Sequence, residues 1–156
     1  KRCVRICAMR HALAPLVLAL FLFPALALGE TVKMDDLVMR AGLYYKKFTD
    51  VPFTGKVTGV YQGSLKDGKK YGSWLHYHGN GQLWSKRTYK DGKEEGTSVS
   101  YYEDGQIMYK GTFKDDMKDG PWVYNYDDLT VNEKRTGTFK DGVKISDTVP
   151  PSFLKQ

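Results

Sequence analysis

The chain is short of the residues that most enzyme chemistry uses. Its 156 residues include two cysteines, Cys3 and Cys7, and three histidines, His11, His76 and His78. Beyond residue 7 there is no thiol for a disulfide, a thiolate metal site or a cysteine nucleophile. Serine is scarce and no histidine follows position 78, so a nucleophilic triad has nothing to stand on. No glycine-rich loop runs into Lys-Ser or Lys-Thr, which leaves Asp91-Gly92-Lys93 as a turn and not a phosphate cradle. An excess of one charge is missing too. Lys1, Arg2, Arg5 and Arg10 account for most of the formal +6; without them 20 basic residues face 18 acidic ones. Nucleic acid therefore has no electrostatic case.

Long apolar runs are also absent, with one exception. Arg10 and His11 lead into Ala12-Leu13-Ala14-Pro15-Leu16-Val17-Leu18-Ala19-Leu20-Phe21-Leu22-Phe23, followed by Pro24 and the small-residue run that ends at Gly29. A basic start, an apolar middle and small residues at the end read as a secretory signal peptide. Cleavage is expected after Gly29, with Ala27 the alternative. The run is short for a membrane-spanning helix and carries two prolines. An exported protein, periplasmic or secreted, is the expectation, and a cysteine-free mature chain suits an oxidising compartment. The expected organisation is a signal peptide over 1–29, a lead segment over 30–41, a repeat sheet over 42–142 and a tail over 143–156.

What is abundant is repetition. Gly72-Ser73-Trp74-Leu75-His76-Tyr77 is echoed by Gly96-Thr97-Ser98-Val99-Ser100-Tyr101 and by Gly120-Pro121-Trp122-Val123-Tyr124. Each opening is followed by a return segment closing on Tyr89-Lys90-Asp91-Gly92, Phe113-Lys114-Asp115-Asp116 or Phe139-Lys140-Asp141-Gly142. The opening glycines are 24 residues apart, and the last copy closes two residues late. A fixed period of this size means a repeat architecture and favours a binding surface over a catalytic pocket. Runs of Tyr, Trp, Phe, Val and Thr between Asn-Gly and Asp-Gly turns predict β-hairpins, with the longer return loop at Lys90–Gly96 and its counterparts. Strands are expected near 73–78, 82–90, 97–102, 106–114, 121–126 and 134–140, with one short helix over Met34–Met39. The expected fold is all-β: an elongated, single-layer antiparallel meander of stacked hairpins.

The units Gly-x-Trp-x-x-Tyr, Asn/Asp-Gly-Gln-Leu/Ile and Tyr/Phe-Lys-Asp-Gly resemble MORN repeats (membrane occupation and recognition nexus) over about Gly42 to Gly142. They look most like the bacterial variant labelled as YwqK-type antitoxins, and Gly42–Lys47 with Pro52–Val57 is similar to that group's opening segment. The resemblance implies an open sheet used for protein or lipid contact. Ser98 departs from the pattern, standing where Trp74 and Trp122 stand in the neighbouring units.

Candidate site residues follow from the alternation of strands. Trp74, Tyr89, Tyr101, Phe113, Trp122 and Phe139 recur with the repeat and are expected to pack the units together. Trp84, Lys86, Met108 and Lys110 are expected on one return-strand face as a contact surface, aromatic or apolar beside basic. His76 and His78 lie two apart on a strand and could start a metal site, but no third ligand is placed by spacing, so cross-strand histidines are preferred. The acidic pairs Glu94-Glu95, Asp115-Asp116 and Asp127-Asp128 fall in turns, where backbone hydrogen bonding explains them without acid–base catalysis. No catalytic residue, metal or cofactor is expected. The expected function is a non-catalytic interaction module at the cell envelope with a protein partner. Contact with anionic lipid headgroups or wall glycan is the alternative, as is neutralisation of a toxin by binding. Open sheet ends invite an edge-strand dimer.

Overall fold

The computed structural model describes residues 29–154, so the expected signal peptide lies outside the described residues except for Gly29. The first strands are β1 (Thr31–Lys33), β2 (Leu37–Arg40), β3 (Leu43–Lys46) and β4 (Gly55–Thr58). The repeats supply β5 (Tyr61–Lys66), β6 (Lys69–Tyr77), β7 (Leu83–Lys90), β8 (Lys93–Tyr101) and β9 (Ile107–Lys114). Then follow β10 (Met117–Lys118), β11 (Gly120–Tyr124), β12 (Gly137–Lys140) and β13 (Val143–Ser146), and a last short helix, α1 (Pro151–Leu154). From β4 to β13 each strand lies antiparallel beside its sequence neighbour in one open sheet of 11 strands, with β10 paired off the main path to β9.

The turn chemistry explains the meander, and it reverses the expected loop lengths. Asp67-Gly68, Asp91-Gly92 and Asp141-Gly142 take φ of 49/74°, 51/90° and 47/81°, and Asp115-Asp116 takes 48/66°. Positive φ at both central residues makes a two-residue hairpin turn whose twist matches the strands it joins. The strands therefore run straight into Asp-Gly: β6 and β8 begin at Lys69 and Lys93, four residues earlier than expected. The longer loops are the other ones, such as 78–82, where His78 N–H donates to Gln82 O at 2.7 Å. Successive turns are stitched together. Gly92 N–H donates to Lys70 O (3.0 Å), Asp116 N–H to Glu94 O (3.1 Å) and Gly142 N–H to Lys118 O (2.9 Å). The recurring opening glycines sit inside strands at φ of 70° (Gly72), 97° (Gly96) and 91° (Gly120), a bulge conformation that an L side chain resists.

Four features depart from the sequence expectation. Met34–Asp36 is a single 3-10 turn, and the rest of the expected helix is strand β2. The limits set at 42 and 142 fall inside hairpin turns. Ala41-Gly42 joins β2 to β3, and Asp141-Gly142 joins β12 to β13. The sheet thus takes in β1 from the lead and β13 from the tail. β1 lies parallel to β4, with Val32 opposite Val57. Finally, one end of the sheet is doubled. The β2–β3 hairpin forms its own small sheet, and Leu37, Val32, Phe53, Val57, Leu65 and Trp74 make one buried cluster with Met34, Tyr44 and Tyr89 against it. An 11-strand sheet one layer thick has little to bury, and this cap gives its first strands a core.

Candidate binding cleft

Three hairpin units can be laid over one another with 24-residue offsets, and their inward positions form aligned rows across the sheet. One row reads Tyr61, His76, Ser85, Ser100, Tyr109, Tyr124, each residue opposite the next on the neighbouring strand. The next reads Trp74, Arg87, Ser98, Gly111. In the β5–β6 unit the set is Tyr61, Gly63, Lys70, Trp74 and His76; in the β9–β11 unit it is Tyr109, Gly111, Lys118, Trp122 and Tyr124. The β7–β8 unit between them has Ser85, Arg87, Glu94, Ser98 and Ser100.

The two outer units are built alike. Each tryptophan lies flat over a glycine: a Cβ on Gly63 would come within 2.3 Å of the Trp74 ring, and one on Gly111 within 2.1 Å of Trp122. Each indole N–H donates to a carbonyl ten residues earlier, Trp74 to Ser64 O at 3.1 Å and Trp122 to Thr112 O at 3.0 Å. An ammonium caps each ring, Lys70 at 4.9 Å from the Trp74 centroid and Lys118 at 5.0 Å from that of Trp122.

The middle unit replaces all three parts together. Arg87 occupies the glycine position, Ser98 the tryptophan position and Glu94 the lysine position. Glu94 Oε1 receives Arg87 Nη1 at 2.5 Å and the Tyr89 hydroxyl at 3.1 Å, while Arg87 Nη2 donates to the Tyr109 hydroxyl at 3.0 Å. Ser98 is buried to 1% exposure, and among the described residues neither its hydroxyl nor Glu94 Oε2 has a hydrogen-bond partner.

With Ser85 and Ser100 where the flanking units carry rings, the aromatic face opens into a cleft of about 340 Å³. Ser85 and Ser100 form its floor, and the Ser100 hydroxyl donates to Trp84 O at 3.0 Å. One wall is made of rings: Tyr61 stacks on His76 at 3.9 Å between centroids, and Trp84 meets His76 at 4.2 Å with its plane tilted by 54°. Tyr109 and Met108 form the other wall, with Arg87 and Lys70 above.

The electrostatics are cationic. Among the described residues no aspartate or glutamate lines the cleft. Burial lowers the Lys70 pKa, and the Arg87 charge lowers it further against the pull of Glu94. His76 is lowered by burial and then by Arg87, His78 and Lys70, which favours a neutral imidazole. Burial works against the Arg87 charge, but Tyr109, Glu94 and the Glu94 hydrogen bond raise its pKa on balance. Burial and the Glu94 carboxylate push the Tyr89 hydroxyl up to about 12.

The expected contact surface does not stay on one face. A bulge opposite His76–Tyr77 inserts Trp84 between Leu83 and Ser85, so Trp84 turns to the His76 side while Lys86 stays opposite Leu75 and Val99. A matching bulge at Ser100–Tyr101 turns Met108 into the cleft, and Lys110 lies on the far face, its ammonium 5.4 Å from the Phe153 ring. Period-two alternation cannot see an inserted residue. Trp74 and Trp122 are buried, while Tyr89, Tyr101, Phe113 and Phe139 are half-buried; Phe113 meets Trp122 edge-on at 4.8 Å and Lys118 lies 4.8 Å from the Phe139 ring. His78 bonds Tyr101 O at 3.1 Å. Among the described residues no three of His, Cys, Asp and Glu gather into a metal site. Composition and local motif do not single out Arg87, Glu94, Ser85 or Ser100. Offsetting the units by 24 residues exposes them, because Ser85, Arg87 and Glu94 each break a residue that the other two units share and Ser100 stands where they carry the rings of His76 and Tyr124.

Residues 70–91 and 94–115 each match the family described as MORN repeat variant. These two adjacent repeats are similar to MORN repeats, and together they carry Arg87, Glu94, Ser98, Ser100 and Tyr109. No curated protein and no solved structure matches the chain. MORN repeats generally build binding and scaffold modules.

Proposed function

We infer that this protein is an exported, non-catalytic binding module that docks a protein partner in the cleft of its aromatic face. The observation that carries the reading is the loss of the rings at Ser85 and Ser100 in the middle unit, which opens a largely apolar hollow with cationic groups in an otherwise filled row. Exposed Trp84 beside it, at 40% exposure, has the character of an interface anchor. Export rests on the charged, apolar and small-residue segments before Glu30, and a site at the cell envelope follows from it. The non-catalytic reading rests on the repeat architecture, which favours a binding surface over a catalytic pocket.

Affinity capture from an envelope extract tests this reading. The protein should retain a stoichiometric partner, and Trp84→Ala should weaken retention by about 2 kcal/mol or more with the melting temperature unchanged. Equal capture by both proteins would move the site off the cleft. A second reading is carried by the far face, where Lys86 lies opposite Leu75 and Val99. Anionic lipid or wall glycan would bind there through charge and lose affinity steeply with salt.

A further inference from the structure

The three units act as controls for one another, and they indicate what the cleft receives. At the positions of Ser85, Ser98 and Ser100 the unit on one side presents Tyr61, Trp74 and His76, and the unit on the other presents Tyr109, Trp122 and Tyr124. This backbone therefore already holds aromatic rings at these positions, with an ammonium over the tryptophan on each side. In the middle unit the ring is missing while the surroundings that favour one remain. Trp84 and His76 stand on one side, Tyr109 on the other, and the Arg87 guanidinium, a plane on which rings stack, lies beside the tryptophan position. Arg87 is paired with Glu94, which stands outside the lining, whereas Lys70 meets the Trp74 and Tyr89 rings and, among the described residues, forms no ion pair.

We propose that the cleft over Ser85 and Ser100 takes an aromatic side chain of the partner protein together with an adjacent carboxylate, the ring completing the row from His76 to Tyr109 and the carboxylate meeting Lys70 and Arg87. The inference rests on the cleft being the docking site. The carboxylate could belong to a neighbouring acidic residue or to a C-terminal aromatic residue; its chemistry is the same in both. The ring adds dispersion and edge contacts on two walls. The carboxylate offsets the Arg87 charge, which adds to burial in lowering the Lys70 and His76 pKa values.

Amide shifts of the isotope-labelled protein provide the test, with four probes: N-acetyltyrosine (ring and carboxylate), N-acetyltyrosinamide (ring alone), N-acetylglycine (carboxylate alone) and glucuronic acid. N-acetyltyrosine should move the amides of Ser85, Arg87, Ser100 and Tyr109 and bind roughly tenfold tighter than either single-feature probe, a difference of about 1.4 kcal/mol. Ser100→Tyr supplies the ring from within, as Tyr124 does, and should abolish the shifts; Ser85→Tyr, which copies Tyr61 and Tyr109, is the second variant should the first misfold. A peptide ending in Tyr and one with internal Glu-Tyr separate the two carboxylate sources. N-acetyltyrosine binding no better than the single-feature probes overturns the proposal, as does a stronger response to glucuronic acid, which would mark a sugar site. If the extract partner is lost in Ser100→Tyr while the probes are indifferent, the cleft stands as docking site and the ring-and-carboxylate assignment falls. If Ser100→Tyr captures the partner unchanged, both fall.

Discussion

The outer and middle hairpin units share a backbone and differ in what they do with it. In the outer units a glycine, a tryptophan and a lysine form one object: the ring needs the missing Cβ beneath it, and the ammonium covers its upper face. In the middle unit an arginine, a serine and a glutamate form a different object, in which an ion pair spans the same space. The exchange is concerted because no single step works. A tryptophan at 98 would collide with Arg87, and a lysine at 94 would set two cations together. The comparison also separates stability from function. The outer units bury Trp74 and Trp122 to 4% and 1% exposure, while the middle unit leaves an open cleft and two of the four buried polar atoms that lack a partner among the described residues, the others being on Gln106 and Asn125. Polar groups left so are costly, and they mark the place where packing has been given up for something else.

The largest effect should come from breaking an outer unit. Trp122→Ala removes a ring that touches Tyr109, Phe113 and Tyr124 and should cost roughly 3–5 kcal/mol in denaturant melts. Trp74→Ala should cost a similar amount and also loosen the buried cluster under the β2–β3 hairpin. A Trp122→Ala protein as stable as the parent would show that the ring is not structural.

The middle unit is next, and here the comparison can be turned round. Ser98→Trp alone should destabilise by about 1–3 kcal/mol, because the ring meets a filled slot. Adding Arg87→Gly and Glu94→Lys rebuilds the glycine, tryptophan and lysine of the outer pattern and should recover most of that loss, while the cleft over Ser85 and Ser100 stays open. Melting curves of the single and triple variants check this. A triple variant no better than Ser98→Trp would mean that the units are not interchangeable.

How much of this is legible in the sequence follows from which rules have a fixed period. The repeat, the hairpins and the open sheet come from Asp-Gly turns and recurring aromatics, which read directly from sequence. The Asp-Gly turns nevertheless pass for the long loops, because Lys93-Glu94-Glu95 looks like a polar connection and is in fact the start of strand β8. Two bulges split the contact face, each worth one residue, and one residue is all it takes to move Trp84 away from Lys86. Ser98 is visible as an exception. Its meaning is not, because Arg87 and Glu94 lie in other strands or other registers and only the fold places them beside it.

A smaller effect concerns His76, whose pKa in the folded protein is lowered by burial and by the nearby Arg87. The folded state then binds a proton less readily than the unfolded chain. The contribution to stability is complete above the unfolded value, about 6.5, and is lost as pH falls through that value toward the folded one. Thermal melts should show a decline between neutral and mildly acidic pH that His76→Gln reduces. An identical pH profile for the variant would place the decline elsewhere.

The smallest expected change lies in the last unit's long loop. Gly81, Gly105 and Leu129 occupy one position in three loops of the same design: each donates its N–H to the residue three earlier, at 2.9, 3.0 and 3.0 Å. Each is followed by a residue whose N–H bonds an Asx side chain, on Asn80, Asp104 and Asp128. The first two residues at this position are glycines at φ of 85° and 87°, and Leu129 is forced to 66°. Left-handed backbone costs an L residue roughly 1–2 kcal/mol, whereas glycine loses about 0.5–1 kcal/mol through its freer unfolded chain. Leu129 is 39% exposed, so little packing is lost on removing its side chain. Leu129→Gly should therefore stabilise the protein by up to about 1 kcal/mol on the difference of those two terms. The corresponding rise in Tm is a few degrees, measurable by calorimetry. A fall in Tm would mean that the Leu129 side chain anchors the insertion that follows it, and that this loop is held by contacts the other two do not have.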